Sequence, residues 1–203
     1  MDHWICPTPT CAERQFAHAI QRPQLLDGLS PFLYVPLPLQ VELEESPTKR
    51  LLMAGAAGAS KSYGGRWHLY SQCRKVPGYR ALLLRCSYDE LYKNHLQYMG
   101  TEAEQLGDAE WKGGATRQMV FENDAIIFMG YCDDLADIPR HLGPEWDEIV
   151  FEEGVNFLPK ALAEISARDR GSHAAALFWS RNERAEFYCK LAESRSLVRT
   201  SHQ

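Results

Sequence analysis

Two groups of residues in this chain have types and spacing suited to chemistry. The first is Gly55-Ala-Ala-Gly58-Ala59-Ser60-Lys61-Ser62, a run of small residues that ends in an ammonium and a hydroxyl. Small residues let consecutive backbone N–H groups close around phosphate oxygens, and the helix that follows the loop adds the partial positive charge of its N-terminus. Lys61 then offers a point charge to phosphate and Ser62 a hydroxyl for Mg²⁺, so the loop reads as a nucleotide site. It departs from GxxxxGK[ST] in having Ser60 before the lysine, and a small-residue turn before a helix is also an ordinary turn. The second group is Glu152-Glu153, directly after the apolar run Ile149-Val-Phe151. Hydrolysis of a nucleotide needs one carboxylate to hold Mg²⁺ and another to polarise the attacking water. Adjacent acids at a strand end can divide those jobs, one lying along the strand and the next on the turn; the alternative is a solvated acidic turn. Asp147-Glu148 competes, but it precedes the apolar run and falls at the wrong end of the strand.

Positioning these groups requires strands that lead into loops. Arg50 to Ala54 reads as a strand feeding the glycine-rich loop, and Tyr63 to Cys73 as the helix that follows. Ala81-Leu-Leu-Leu-Arg85 is short and apolar, as in a buried parallel strand. Asp89 to Leu106 reads as a helix whose stripe of Leu91, His95, Tyr98, Met99 and Ala103 suits a core. Met119 to Phe121 and Ala125 to Met129 form a hairpin around Glu122-Asn-Asp124, where Asn and Asp tolerate the turn. Lys160 to Arg170 is a further helix and His173 to Trp179 a further strand. A short helix around Val41 to Glu45 precedes the first strand. Residues 1–30, with Pro7, Pro9 and Pro23, read as an extension, and residues 31–203 as one domain. The class is α/β, with a central mainly parallel sheet flanked by helices on both faces.

The chain has 203 residues, 45% of them hydrophobic and 24% charged, enough for a sizeable core. A net charge of −5 argues against coating DNA by bulk electrostatics and leaves room for a local basic face. Cys6, Cys11, Cys73, Cys86, Cys132 and Cys189 are scattered without CxxC pairing, and no signal peptide or long apolar run is present, which favours reduced thiols in a cytoplasm. Cys6, Cys11 and His3 lack the spacing of a metal knuckle.

The order of these segments resembles the N-terminal ATPase domain of a tailed-phage terminase large subunit. The segments that carry the resemblance are Pro38-Leu39-Gln40 with Glu42, Gly55 to Tyr63, Leu82 to Arg85 with Glu90-Leu91 and Asn94-His95-Leu96, and Phe121-Glu-Asn123. To these add Gly130-Tyr-Cys-Asp133 through Asp137-Ile-Pro-Arg140, Leu142-Gly-Pro-Glu145, and Asp147 to Glu153. The resemblance spans roughly residues 36–170 and implies a P-loop NTPase fold and an ATP-hydrolysing, Mg²⁺-dependent motor that packages double-stranded DNA. Carried over by position, Lys61 contacts the β- and γ-phosphates, Ser62 and Glu152 hold Mg²⁺, Glu153 is the catalytic glutamate, and Gln40 reads the adenine edge. Glu152 takes the place of the Walker B aspartate. Implied partners are duplex DNA, a small terminase subunit, a portal protein and other copies in a homo-oligomeric ring on the procapsid, in the cytoplasm of a bacterial host and without a membrane.

The chain also departs from this family. Relatives often have Arg where Ala57 stands, which leaves Arg85, Arg140, Arg168 and Arg170 as candidates to stabilise γ-phosphate charge. Glu152 is one methylene longer than the usual Asp. The coupling segment expected after the last strand is reduced to Ser180-Arg-Asn182-Glu183. No RNase H-like nuclease is expected after Gln203, so DNA cleavage is not expected. The alternative function is a catalytically impaired or truncated prophage remnant that binds nucleotide or partners only. A helicase or other P-loop enzyme shares only the loop.

Overall fold

The computed structural model describes residues 40–41, 50–54, 61–168 and 176–180, with the backbone alone for 50–54 and 176–180. Outside the described residues lie the 1–30 extension, the loop positions Gly55, Gly58, Ala59 and Ser60, Arg170, and the segment after Ser180.

The strands are β1 (Arg50–Ala54), β2 (Arg80–Arg85), β3 (Ala109–Lys112), β4 (Gln118–Phe121), β5 (Ile126–Tyr131), β6 (Glu148–Glu152) and β7 (Ala176–Ser180). They form one sheet in the order β1-β7-β6-β2-β5-β4-β3. From β1 to β5 every pairing is parallel, and β4 and β3 extend the edge in antiparallel fashion. The C-terminal ends of β1, β6 and β2 therefore share one rim, where open α/β sheets bind ligands.

Helix α1 (Lys61–Lys75) follows β1 and the loop, α2 (Tyr88–Leu91) runs through a π-helical turn (Tyr92–Leu96) into α3 (Gln97–Leu106), and α4 (Pro139–Leu142) and α5 (Pro159–Ser166) flank β6. Ser87 caps α2 by accepting from the Glu90 N–H at 3.3 Å, and Pro159 starts α5 where its missing N–H costs nothing.

Alternation along the strands builds a core on each face. Ala81, Leu83 and Val150 join Trp67, Tyr70, Leu91 and Met99 on the α1/α3 face. Leu82, Leu84, Ile149 and Phe151 join Phe157, Leu162 and Ile165 on the α5 face. Trp67 and Tyr70 meet edge to face at 5.3 Å, as do Phe151 and Phe157 at 5.4 Å.

The structure matches the expected strands closely and adds β3, a half-exposed edge strand. The β4–β5 hairpin turns as expected: Asp124 takes a left-handed φ of 67° and Asn123 Oδ1 accepts from the Ala125 N–H at 3.2 Å. Within the expected stripe Leu91, His95, Met99 and Ala103 are buried, but Tyr98 is 45% exposed. The π turn changes the phase of the helix just before it, so spacing by α-helical period misplaces this position. Helix α5 stops at Ser166, short of the expected Arg170.

Candidate functional site

The rim formed by the ends of β2 and β6 and the start of α1 carries Lys61, Ser62, Glu152 and Glu153; the other predicted loop positions lie outside the described residues. Lys61 and Ser62 open α1 directly after the loop, and Lys61 is buried to 8% exposure. Glu152 ends β6 and is 4% exposed. The Ser62 hydroxyl donates to Glu152 Oε1, so two residues 90 positions apart meet at one carboxylate.

The other oxygen of Glu152, Oε2, is held by His95 Nε2 and lies 3.4 Å from Arg85 Nη1. Arg85 ends β2, and its Nη2 lies 3.3 Å from Glu90 Oε2 while its buried Nε finds no partner among the described residues. Burial pushes the Glu152 carboxyl upward, but His95, Arg85 and the Ser62 hydroxyl outweigh it and bring the pKa down to about 2. The group is an anion at neutral pH.

Glu153 sits beyond the strand with φ 54° and ψ 51°. A left-handed backbone at a residue other than Gly, Asn or Asp is strained, and such strain gathers at functional sites. The turn takes Glu153 off the strand direction that Glu152 follows, so adjacent acids occupy different positions. Gln40 is buried and lies on α1: a Cβ added at Gly64 would meet Gln40 Cγ at 2.8 Å and Cδ at 2.7 Å. The absent side chain at Gly64 is what admits the amide.

The competing acids behave differently. Glu148, at the other end of β6 and fully buried, accepts from His68 at 3.0 Å and from the Tyr79 hydroxyl at 2.7 Å. Burial, and then Glu148, raise the Tyr79 pKa, so this phenol stays a donor. Asp147 binds the Arg80 N–H at 2.9 Å and so anchors the start of β2. These are structural acids.

Of the candidate arginines, Arg85 alone among the described residues touches the Glu152 carboxylate. Arg140 pairs with Asp137 at 2.5 Å, and the Arg168 carbonyl accepts from the Trp146 N–H at 3.2 Å.

Sequence reasoning did not identify the partners of His95. Arg66 Nη1 lies 3.4 Å from His95 Nδ1, and Glu102 grips Arg66 through contacts of 2.8, 2.9 and 3.2 Å. The available signal was chemical: a buried imidazole or guanidinium must find partners.

Among the described residues no group of three or more His, Cys, Asp and Glu could hold a metal ion. A hydroxyl and one ionised carboxylate nevertheless suit Mg²⁺, which keeps waters and takes its remaining ligands from phosphates. The donor chemistry of Ser62 and Glu152 fits that ion.

No protein-family model matches the chain, and no curated protein matches it in sequence. Solved structures do. The large terminase ATPase domain of Thermus phage P74-26 superposes with a TM-score of 0.54 at 17% identity, covering 76% of this chain and 68% of that one. The large terminase of a thermophilic bacteriophage in complex with ADP gives 0.56 at 15% identity, covering 77% and 43%. Its complex with ATP-γ-S gives 0.54 at 11% identity, covering 71% and 37%. The chain shares the fold of these phage large terminase ATPase domains. The chain spans less than half of that phage's large terminase. No helix among the described residues is long and apolar enough to cross a membrane.

Proposed function

We propose that this chain binds and hydrolyses ATP as the motor domain of a terminase-type DNA packaging machine. The observation that carries the reading is the meeting of Ser62 with an ionised Glu152 at the C-terminal rim of a parallel sheet. Lys61, at the start of α1, would contact a nucleotide's β- and γ-phosphates. Ser62 and Glu152 would hold Mg²⁺, which when bound neutralises charge on the phosphates. Glu153, displaced from the strand by its left-handed turn, would accept hydrogen bonds from the attacking water and orient it. Arg85, the one candidate arginine among the described residues that touches Glu152, would offer its guanidinium to charge developing on the transferred phosphate. Gln40 would read the purine edge, since an amide both donates and accepts. Double-stranded DNA, a small terminase subunit, a portal and further copies in a ring on the procapsid, in a bacterial cytoplasm, complete the proposal.

Steady-state hydrolysis of Mg-ATP by the purified chain, with and without duplex DNA, tests it: turnover that DNA stimulates supports a motor, and absence of turnover rejects it. A second reading, nucleotide binding without hydrolysis, draws on the engagement of both Glu152 oxygens by protein groups. Retained ATP binding with no turnover would select that reading.

A further inference from the structure

His95 is completely buried on the π-helical turn Tyr92–Leu96, and the nucleotide reading gives it no role. Single π turns inside α-helices are rare and recur at functional sites. On this one, His95 Nε2 meets Glu152 Oε2, and His95 Nδ1 lies 3.4 Å from Arg66 Nη1. A guanidinium can only donate, so Nδ1 is the accepting nitrogen and the ring proton on Nε2 is the one offered to Glu152. Arg66 is not free to turn away. Besides its paired contacts with Glu102, it donates to the Asn94 carbonyl at 2.9 Å, and Glu102 is fixed in turn by the Tyr70 hydroxyl at 2.6 Å. The orientation of His95 is thus set by a buried chain that runs through α1 and α3.

We propose that His95 is a positioning residue: its Nε2–H anchors Glu152 Oε2 so that Oε1 is presented to Ser62 and to a divalent cation held with it. The proposal rests on the reading of Ser62 and Glu152 as Mg²⁺ ligands. Partners that orient a ligand without touching the metal commonly contribute 10- to 100-fold to metal affinity.

The test is binding of a fluorescent ATP analogue in MgCl₂ and in EDTA. His95→Phe keeps a planar aromatic ring and removes the donor, whereas His95→Gln places an amide N–H near the position of Nε2. The parent is expected to bind more tightly in MgCl₂. His95→Phe should lose about 10- to 100-fold of that gain while its affinity in EDTA equals that of the parent, and His95→Gln should keep most of the gain. A structural role would weaken both conditions alike and would overturn the proposal, as would a full Mg²⁺ gain in His95→Phe.

Should His95→Phe fail to fold, His95→Asn replaces it, because its shorter amide reaches only to the position of Nδ1. Loss in Asn with retention in Gln is then expected, and equal gains overturn the proposal. A parent that does not bind the analogue, or binds it without any Mg²⁺ gain, overturns the underlying site. A parent with a Mg²⁺ gain shared by every His95 variant overturns the role of His95 alone.

Discussion

The hydroxyl of Ser62 donates to the carboxylate of Glu152, joining the first turn of the helix after the glycine-rich loop to the end of the central strand β6. The bond brings together a neutral donor and an anion, the two groups to which the proposed function assigns a divalent cation. The same carboxylate is tied to His95 and Arg85, so its ionisation is part of the stability of the fold.

That linkage has a definite direction. The Glu152 pKa falls from 4.5 to about 2 on folding, so its contribution is complete above about pH 4.5 and is lost as pH falls towards 2. The amount is on the order of 3 kcal/mol. Urea unfolding at pH 7 and pH 2 should show the parent losing roughly that much more stability than Glu152→Gln. Parallel acid profiles would contradict it.

Glu153 combines strain with a proposed catalytic role, and two substitutions separate these. Glu153→Gln should retain Mg-ATP binding and lose turnover, while leaving the strained φ of 54° in place. Glu153→Gly should lose turnover as well but gain about 1 kcal/mol of stability, because glycine adopts the left-handed region without the Cβ clash. Turnover at the parent rate in Glu153→Gln refutes the assignment.

Gly64 is expected to matter through Gln40. An alanine in a helix interior is ordinarily stabilising by about 0.5–1 kcal/mol over glycine, yet here the added methyl would collide with the Gln40 side chain. Gly64→Ala should therefore reproduce Gln40→Ala, each weakening ATP binding by about 0.5–1.5 kcal/mol, the worth of one hydrogen bond. Competition titrations of ATP against GTP measure it. Unchanged affinity and selectivity in Gly64→Ala would show that Gln40 does not contact the base.

The sequence exposed much of this architecture because buried parallel strands need short apolar runs: Ala81 to Arg85 and Ile149 to Phe151 became β2 and β6 with little change. The hairpin was legible from Asn123 and Asp124. Strand β3 was not, because Ala109–Lys112 is a half-exposed edge strand that has no apolar run to announce it. In the site, Ser62 and Glu152 could be named from their neighbours in sequence. His95 was legible only as a buried position in a helical stripe, since its partners come from Arg66 on α1 and Glu152 on β6, and the π turn that carries it leaves no periodic signature. Tyr98 was misplaced for the same reason.

The central claim is that α1 begins at a phosphate site, and Lys61 tests it most directly. A titration of the fluorescent ATP analogue into the parent and into Lys61→Ala, each with MgCl₂, should show the variant binding more weakly by about 1.5–3 kcal/mol, the worth of a hydrogen bond to a charged group. Equal affinity of the two proteins would contradict the account.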